Sequence, residues 1–222
     1  TDGTREVARE FGAEVTEQEW LGFRDQKQSA LERCREDWVL ALDCDEELSP
    51  ELCESLVDFF RGGGAWERAA GARFARKVWF LGRWIMHGDW YPDEKTRLAR
   101  RSVCRWGGSR EHDRLEVEGA VVKLRGDLNH YSFPSMNRYV EKINVFADEY
   151  LARQQEAGRG WSLGHNLFRP VWRFFRCYFL RLGFLDGFPG LWVAVGIAFQ
   201  AFVRHSRTYE AMVKDKRPDH KL

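Results

Sequence analysis

The feature that most constrains this chain is a short apolar run, Trp38-Val39-Leu40-Ala41-Leu42, that ends on a cluster of acids, Asp43-Cys44-Asp45-Glu46-Glu47. A continuous run of apolar residues suits a strand buried on both faces. Directly after the acids comes Ser49-Pro50-Glu51, a strong helix start: a capping hydroxyl, a proline at the first position and an acid near the positive dipole end. Buried strand, acidic loop and capped helix together form one unit of an α/β layer. In open α/β sheets the loops at the strand tips are where ligands bind.

The rest of the chain extends that pattern. Arg5–Phe11 reads as a short helix capped by Thr4, Ala13–Thr16 as a short strand and Phe23–Arg35 as a second helix. The helix from Ser49 runs to about Phe60 and stops at Gly62-Gly63-Gly64. From Gly71 to Leu128 the runs become β-like (Ala72–Leu81, Thr96–Arg101, Leu115–Leu124), and Ser135 starts a long helix to about Gln155. Alternation of helix and buried strand predicts an α/β fold with a mainly parallel sheet and flanking helices over residues 1–160.

Residues 161–222 differ in kind. Leu167–Leu185 mixes aromatic and aliphatic residues with Arg169, Arg173, Arg176 and Arg181, which at helical pitch collect on one flank and reach toward headgroups. Gly187–Val203 holds no charged residue, yet it is shorter than the roughly 20 apolar residues of a span and contains Pro189. Lying in the membrane interface, or a shallow re-entrant hairpin, fits this stretch better than crossing; the competing arrangement is a helical pair buried against the body. Residues 165–222 carry ten Lys/Arg against four Asp/Glu, which leaves the preceding part acidic although the whole chain is at +1. A basic, aromatic end beside an acidic body points to a membrane surface. Nucleic acid is excluded as a partner because the positive stretch is strongly apolar and holds no recognition module.

The five cysteines show no CxxC spacing, so neither a zinc site nor a disulfide framework is expected, and a reducing compartment is. His87, His112 and His130 are too widely spaced to suggest a zinc site. Asp43 and Asp45 are hard oxygen ligands two residues apart, suited to Mg²⁺ or Mn²⁺, which in turn grip a diphosphate. Such acid pairs after strands are also common as solvated turns; here the buried strand before and the capped helix after favour a site.

An ordered series of segments resembles the family 2 glycosyltransferases. Thr1-Asp2-Gly3-Thr4 is similar to the end of their "DSxSTDGT" segment, Gln26-Lys27 with Ala30 to "QKxxA", and Trp38–Glu46 to "WvLxLDADE". Gly88-Asp89-Trp90-Tyr91-Pro92 through Arg97-Leu98 resembles "GxWyPD…RLfrr", and His112-Asp113-Arg114-Leu115 the "HE/HD-x-L" segment. Leu128-Asn129-His130-Tyr131-Ser132, Tyr139 and Lys142 resemble the block that follows it. The closest subgroup is the WaaE/KdtX kind, which builds lipopolysaccharide core. Cys44 stands where the family usually has Ala, and the family's first strand, with the aspartate that holds the nucleotide base, is expected before Thr1.

The resemblance implies a GT-A fold, Rossmann-related, and an inverting hexosyl transfer from a nucleotide sugar, with a UDP-hexose as the leading donor. The acceptor it implies is a lipid-linked saccharide such as lipopolysaccharide core, met on the cytoplasmic face of the membrane. Asp43 and Asp45 would hold Mg²⁺ or Mn²⁺, and Asp113 would be the base, with Glu111 in reserve. Gln26, Lys27 and Arg97 would contact the donor; Trp90, Tyr91 and His112 would contact the acceptor. Trp90 and Tyr91 are equally readable as residues that pin a loop to the core, and the 110–114 charges as a solvated turn. Two other classes compete: a metal-dependent phosphoester hydrolase using the same acidic loop, and a catalytically inactive membrane-binding module.

Overall fold

The computed structural model describes residues 2–62, 64–108 and 113–214. The chain divides into two compact units, one of residues 1–41, 65–72 and 96–122, the other of residues 42–64, 73–95 and 123–222. The expected division at residue 160 does not coincide with this one. The C-terminal helices belong to the same unit as the acidic loop, because they cover strands rather than standing apart.

In the first unit, α1 (Thr4–Glu10) is followed by an irregular stretch and then by α2 (Phe23–Arg33). The strand expected at Ala13–Thr16 does not form: these residues are largely exposed and carry no ladder partner. Without a pairing strand, alternation of Val15 with polar neighbours cannot satisfy the backbone as sheet. β1 (Trp38–Leu40) pairs antiparallel with the second half of β5 (Asp93–Arg100), in the register Val39 opposite Ala99. β6 (Cys104–Gly108) and β7 (Asp113–Val117) form a separate antiparallel ribbon, Trp106 opposite Leu115. Leu31, Ala99, Trp106 and Leu115 are buried together as this unit's core. A short helix, α4 (Ala65–Arg68), completes it.

In the second unit β2 (Glu46–Leu48) leads into α3 (Pro50–Arg61), which starts as its sequence requires: the Ser49 hydroxyl accepts from the Leu52 N–H at 3.2 Å. The strands lie in the order β5, β3 (Gly71–Phe80), β8 (Val121–His130), β2, with β4 (Arg83–Ile85) on β3. The β2–β8 and β3–β4 pairings are antiparallel, as are β1–β5 and β6–β7. The α/β architecture with flanking helices is therefore present, but the parallel arrangement does not describe these four pairs. Short returns such as Leu81-Gly82 can join only antiparallel neighbours.

α5 (Met136–Glu156), α6 (Leu163–Phe175), a π-turn (Arg176–Leu180) and α7 (Gly187–Lys214) follow. Val78, Phe80, Ile85, Cys177, Val193, Ala194 and Ile197 form the buried cluster that seats these helices on β3 and β4. Gly196 lets α7 approach α5 closely, since a Cβ there would run into the Tyr139 ring. α7 buries Val193, Ala194, Ile197, Ala201 and His205 on one face and leaves Val195, Phe199 and Phe202 exposed on the other. Pro189 lies in its first turn, where no backbone N–H is needed, so the helix is not broken there. Gly183–Lys214 is long and apolar enough to cross a membrane by length and composition, with a mean hydropathy of 1.3 in its best window.

Candidate active site

The acidic loop is shaped by its third acid. Glu46 turns back: its carboxylate accepts from the Asp43 N–H at 3.0 Å, while its own N–H donates to the Asp43 carbonyl at 3.0 Å. The same carboxylate, fully buried, pairs with Arg76 at 3.0 Å, and Arg76 also holds Asp93 at 2.8 Å. Glu46 is thereby committed to structure. Asp43 is half-buried, Cys44 exposed, and the Asp45 side chain 43% exposed.

The Asp45 carboxylate meets the His130 Nε2 at 3.2 Å, and its carbonyl accepts from the Tyr131 N–H at 2.9 Å. His130 stands opposite Glu46 in the β2–β8 ladder, which is what brings it to the loop. Burial, then the Arg76 guanidinium, hold its pKa below the usual histidine range, while the Asp45 and Glu46 charges pull it the other way. Lys142, on α5, feels the Asp45 charge as well, although burial lowers its pKa.

Among the described residues no group of three or more His, Cys, Asp or Glu side chains is placed to hold a metal by itself. The Asp43 and Asp45 carboxylates nevertheless fit a hard divalent ion. They are hard oxygen donors, and two of them would leave most of an octahedral shell to phosphate oxygens and water.

In the first unit, Asp113 begins β7 and its carboxylate lies 2.9 Å from the Lys27 ammonium of α2. Both side chains are mostly enclosed, at 14% and 23% exposed. The Trp106 ring underlies this pair: Lys27 Nζ sits 4.8 Å from its centroid and the Arg97 guanidinium 5.9 Å. The Trp106 N–H is fixed by the Gln28 side chain at 2.9 Å. Lys27, Arg97 and Asp113, drawn from three separate stretches, are thus gathered around one indole.

The remaining candidates behave differently. Gln26 lines an open cleft of about 550 Å³ with Glu14, Thr16, Gln18 and Arg33, and accepts weakly from the Leu21 N–H at 3.4 Å. Trp90 stacks on Phe133 at 5.1 Å and meets Phe80 and Tyr139 edge-on, so its ring is used in packing. Tyr91 donates its hydroxyl to Asp127 at 3.0 Å; burial and that carboxylate push its pKa up to about 12. Both contacts hold the 88–92 loop against the rest of this unit. Glu111 and His112 lie outside the described residues.

Trp106, Arg76 and His130 were not singled out as site residues by sequence. Trp106 sits in an unremarkable alternating run, and His130 reaches Asp45 only through the β2–β8 register. The one legible signal was the place of His130 in the Leu128–Ser132 segment that resembles the family's block.

The chain is similar in sequence to known proteins along most of its length. Residues 1–101 match the family model described as glycosyl transferase family 2. The chain is 29% identical over 232 residues to an uncharacterized glycosyltransferase of Rickettsia felis, covering 97% of this chain and 79% of that one. It is similarly 28% identical over 231 residues to one of Rickettsia prowazekii, covering 97% and 77%. A lipopolysaccharide core biosynthesis glycosyltransferase, LpsC, of Rhizobium meliloti is 29% identical over 202 residues, covering 90% and 74%. The acidic loop, the Lys27 helix and the strand bearing Arg97 all lie within the residues that match the glycosyl transferase family 2 model.

Proposed function

We propose that this enzyme transfers a hexose, with inversion, from a nucleotide sugar to a lipid-linked saccharide of the lipopolysaccharide core kind, at the cytoplasmic surface of a membrane. The observation that carries the reading is the division of labour in the acidic loop. Arg76 and the loop's own backbone take up Glu46, while Asp45 stays half-exposed beside His130.

Asp43 and Asp45 would hold Mg²⁺ or Mn²⁺, which when bound supplies Lewis-acid stabilisation to the departing nucleoside diphosphate. His130 steadies the Asp45 carboxylate through its ring nitrogen, and Arg76 keeps Glu46 out of the way. Asp113 is the base: its carboxylate takes the proton of the acceptor hydroxyl as that oxygen attacks the anomeric carbon. Lys27 fixes the orientation of Asp113 and, with Arg97, presents positive charge over Trp106 toward an anionic donor. The likeness to LpsC supports the lipopolysaccharide class of acceptor, and the apolar face of α6 and α7 supports the membrane surface.

The test is a transfer assay with UDP-hexoses and a lipid-linked core saccharide, in Mn²⁺ or Mg²⁺, on the wild type and Asp45→Asn. Transfer should require metal and fall at least about a hundredfold in the variant, with an unchanged melting temperature. Nucleotide release at the same rate with and without acceptor would make the enzyme a hydrolase instead. Undiminished transfer by Asp45→Asn would remove the metal assignment.

A further inference from the structure

Among the described residues only two that are not glycine adopt a positive φ, Leu81 at 49° and Leu182 at 57°. Both are leucines, and both are exposed, at 37% and 45%. Leu81 is the first residue of the Leu81-Gly82 return between β3 and β4, closed by the pair Phe80–Arg83. Two-residue returns with positive φ at both positions favour Asn-Gly or Asp-Gly; a leucine there costs about 1 kcal/mol of backbone strain. Leu182 enters the 3₁₀ turn Gly183–Asp186 that separates the π-turn from α7. Each leucine keeps over a third of its surface in solvent despite its strain, and a broken local rule of this kind points to a functional position.

The two turns are held together. Asp186, fully buried, accepts from the Arg83 guanidinium at 3.3 Å, the Met86 and His87 N–H groups at 3.0 and 2.8 Å, and lies 3.1 Å from the His87 ring. This clamp ties β4 and the segment after it to the 183–186 turn. Around the two leucines Trp79, Phe184, Leu185 and Phe188 are also exposed, at 38–63%. The exposed charge here is positive. Arg83 and Arg181 are 43% and 49% exposed, whereas their acid partners Asp186 and Asp89 are 0% and 7%. Trp79 and Trp84 face each other across the hairpin, 5.1 Å apart, as amphipathic rings suited to a headgroup layer.

The geometry points to a two-pronged lipid anchor: the Leu81 hairpin tip and the Leu182–Phe188 turn, clamped side by side by Asp186, insert together into an anionic membrane surface, with Arg83 and Arg181 meeting the headgroup phosphates. This deepens the membrane reading above and rests on it. It brings in the β3–β4 hairpin, outside the C-terminal region, as half of the contact. Exposed apolar side chains flanked by arginines far more exposed than the acids they pair with match the two terms of interfacial binding, apolar burial and attraction to anionic lipid.

The experiment is flotation of the full chain with vesicles of phosphatidylcholine alone or containing phosphatidylglycerol, for the wild type, Leu81→Asn, Leu182→Asn and the double variant. Asparagine tolerates the left-handed conformation, so the variants should melt no lower than the wild type. The wild type should float preferentially with the anionic vesicles, each single variant should partition about threefold less and the double variant about tenfold less. A double variant that floats like the wild type overturns this inference alone. A wild type that floats on neither vesicle removes the membrane reading with it. A wild type that sediments as a dimer, dissociated by the double substitution, would assign the surface to a second copy of the chain.

Discussion

Two short turns of the second unit, the loop at residues 43–47 and the turn at residues 183–188, use the same chemistry to opposite ends. In the later turn Asp186 is sealed from solvent with three of its own chain's groups on its oxygens, and the leucines and phenylalanines around it face out. In the acidic loop the order is reversed. Glu46 plays the sealed, structural part through Arg76, and Asp45 keeps nearly half of its side chain in solvent. An acid saturated by donors of its own protein has little left to offer a ligand; one left half in solvent keeps lone pairs to offer. Residue type alone does not separate the two, whereas the number and charge of donors do.

The comparison can be sharpened at Asp113, an acid that is mostly enclosed yet has Lys27 as its close ion-pair partner. Asp113→Asn should lower turnover by about two to four orders of magnitude with little change in donor KM, measured by steady-state transfer kinetics. A loss confined to KM would instead make Asp113 a binding residue. Asp186→Ala should behave in the opposite sense. It should cost about 3 kcal/mol in guanidinium unfolding, because a guanidinium and two backbone N–H groups lose their acceptor, while turnover per folded molecule stays near wild type.

A titratable group in the helices breaks the comparison in a different way. His205 is buried on α7, faced by Tyr150, Arg204, Arg169 and His165. Burial, then Arg204, push its pKa down to about 4. Its folded value lies below the unfolded one, so the unfolded chain binds more protons between about pH 4 and 6.5 and stability falls as pH drops through that window. Denaturation at pH 7 and 4.5 should show a loss on the order of 1–2 kcal/mol in the wild type beyond that in His205→Gln. The smallest effect is expected at Ser49, whose hydroxyl accepts from Leu52 and Asp127 N–H groups at 3.2 and 3.0 Å. Ser49→Ala should cost about 1 kcal/mol in the same measurement.

Legibility in the sequence followed how local each cause is. The start of α3 was readable because Ser49, Pro50 and Glu51 carry their capping chemistry within one turn. The strand at Trp38 was readable as an unbroken apolar run, but the burial on both faces expected of it was not found: only Trp38–Leu40 form the strand, half-buried at the end of the sheet, and Leu42 is exposed. β2 was not readable, since Glu46-Glu47-Leu48 becomes a strand only through its pairing with Leu128–His130. For the same reason His130 was passed over: its approach to Asp45 is a product of that register. Asp43 and Asp45 were visible as a pattern, but the withdrawal of Glu46 by Arg76 was not. Trp106, which gathers Lys27, Arg97 and Asp113, looks in sequence like any aromatic of a short strand. The two strained leucines left no trace at all, because φ is not written in residue type when the residue breaks the usual preference.

The central claim is that Asp43 and Asp45 hold a divalent ion against the donor's diphosphate. Calorimetric titration of UDP into the protein with and without Mn²⁺, for the wild type and for Asp43→Asn and Asp45→Asn, tests it most directly. Binding that strengthens at least about tenfold with Mn²⁺ in the wild type, and loses that gain in both variants, is the predicted result. Equal affinity with and without the metal, or a metal effect that survives both substitutions, would contradict it.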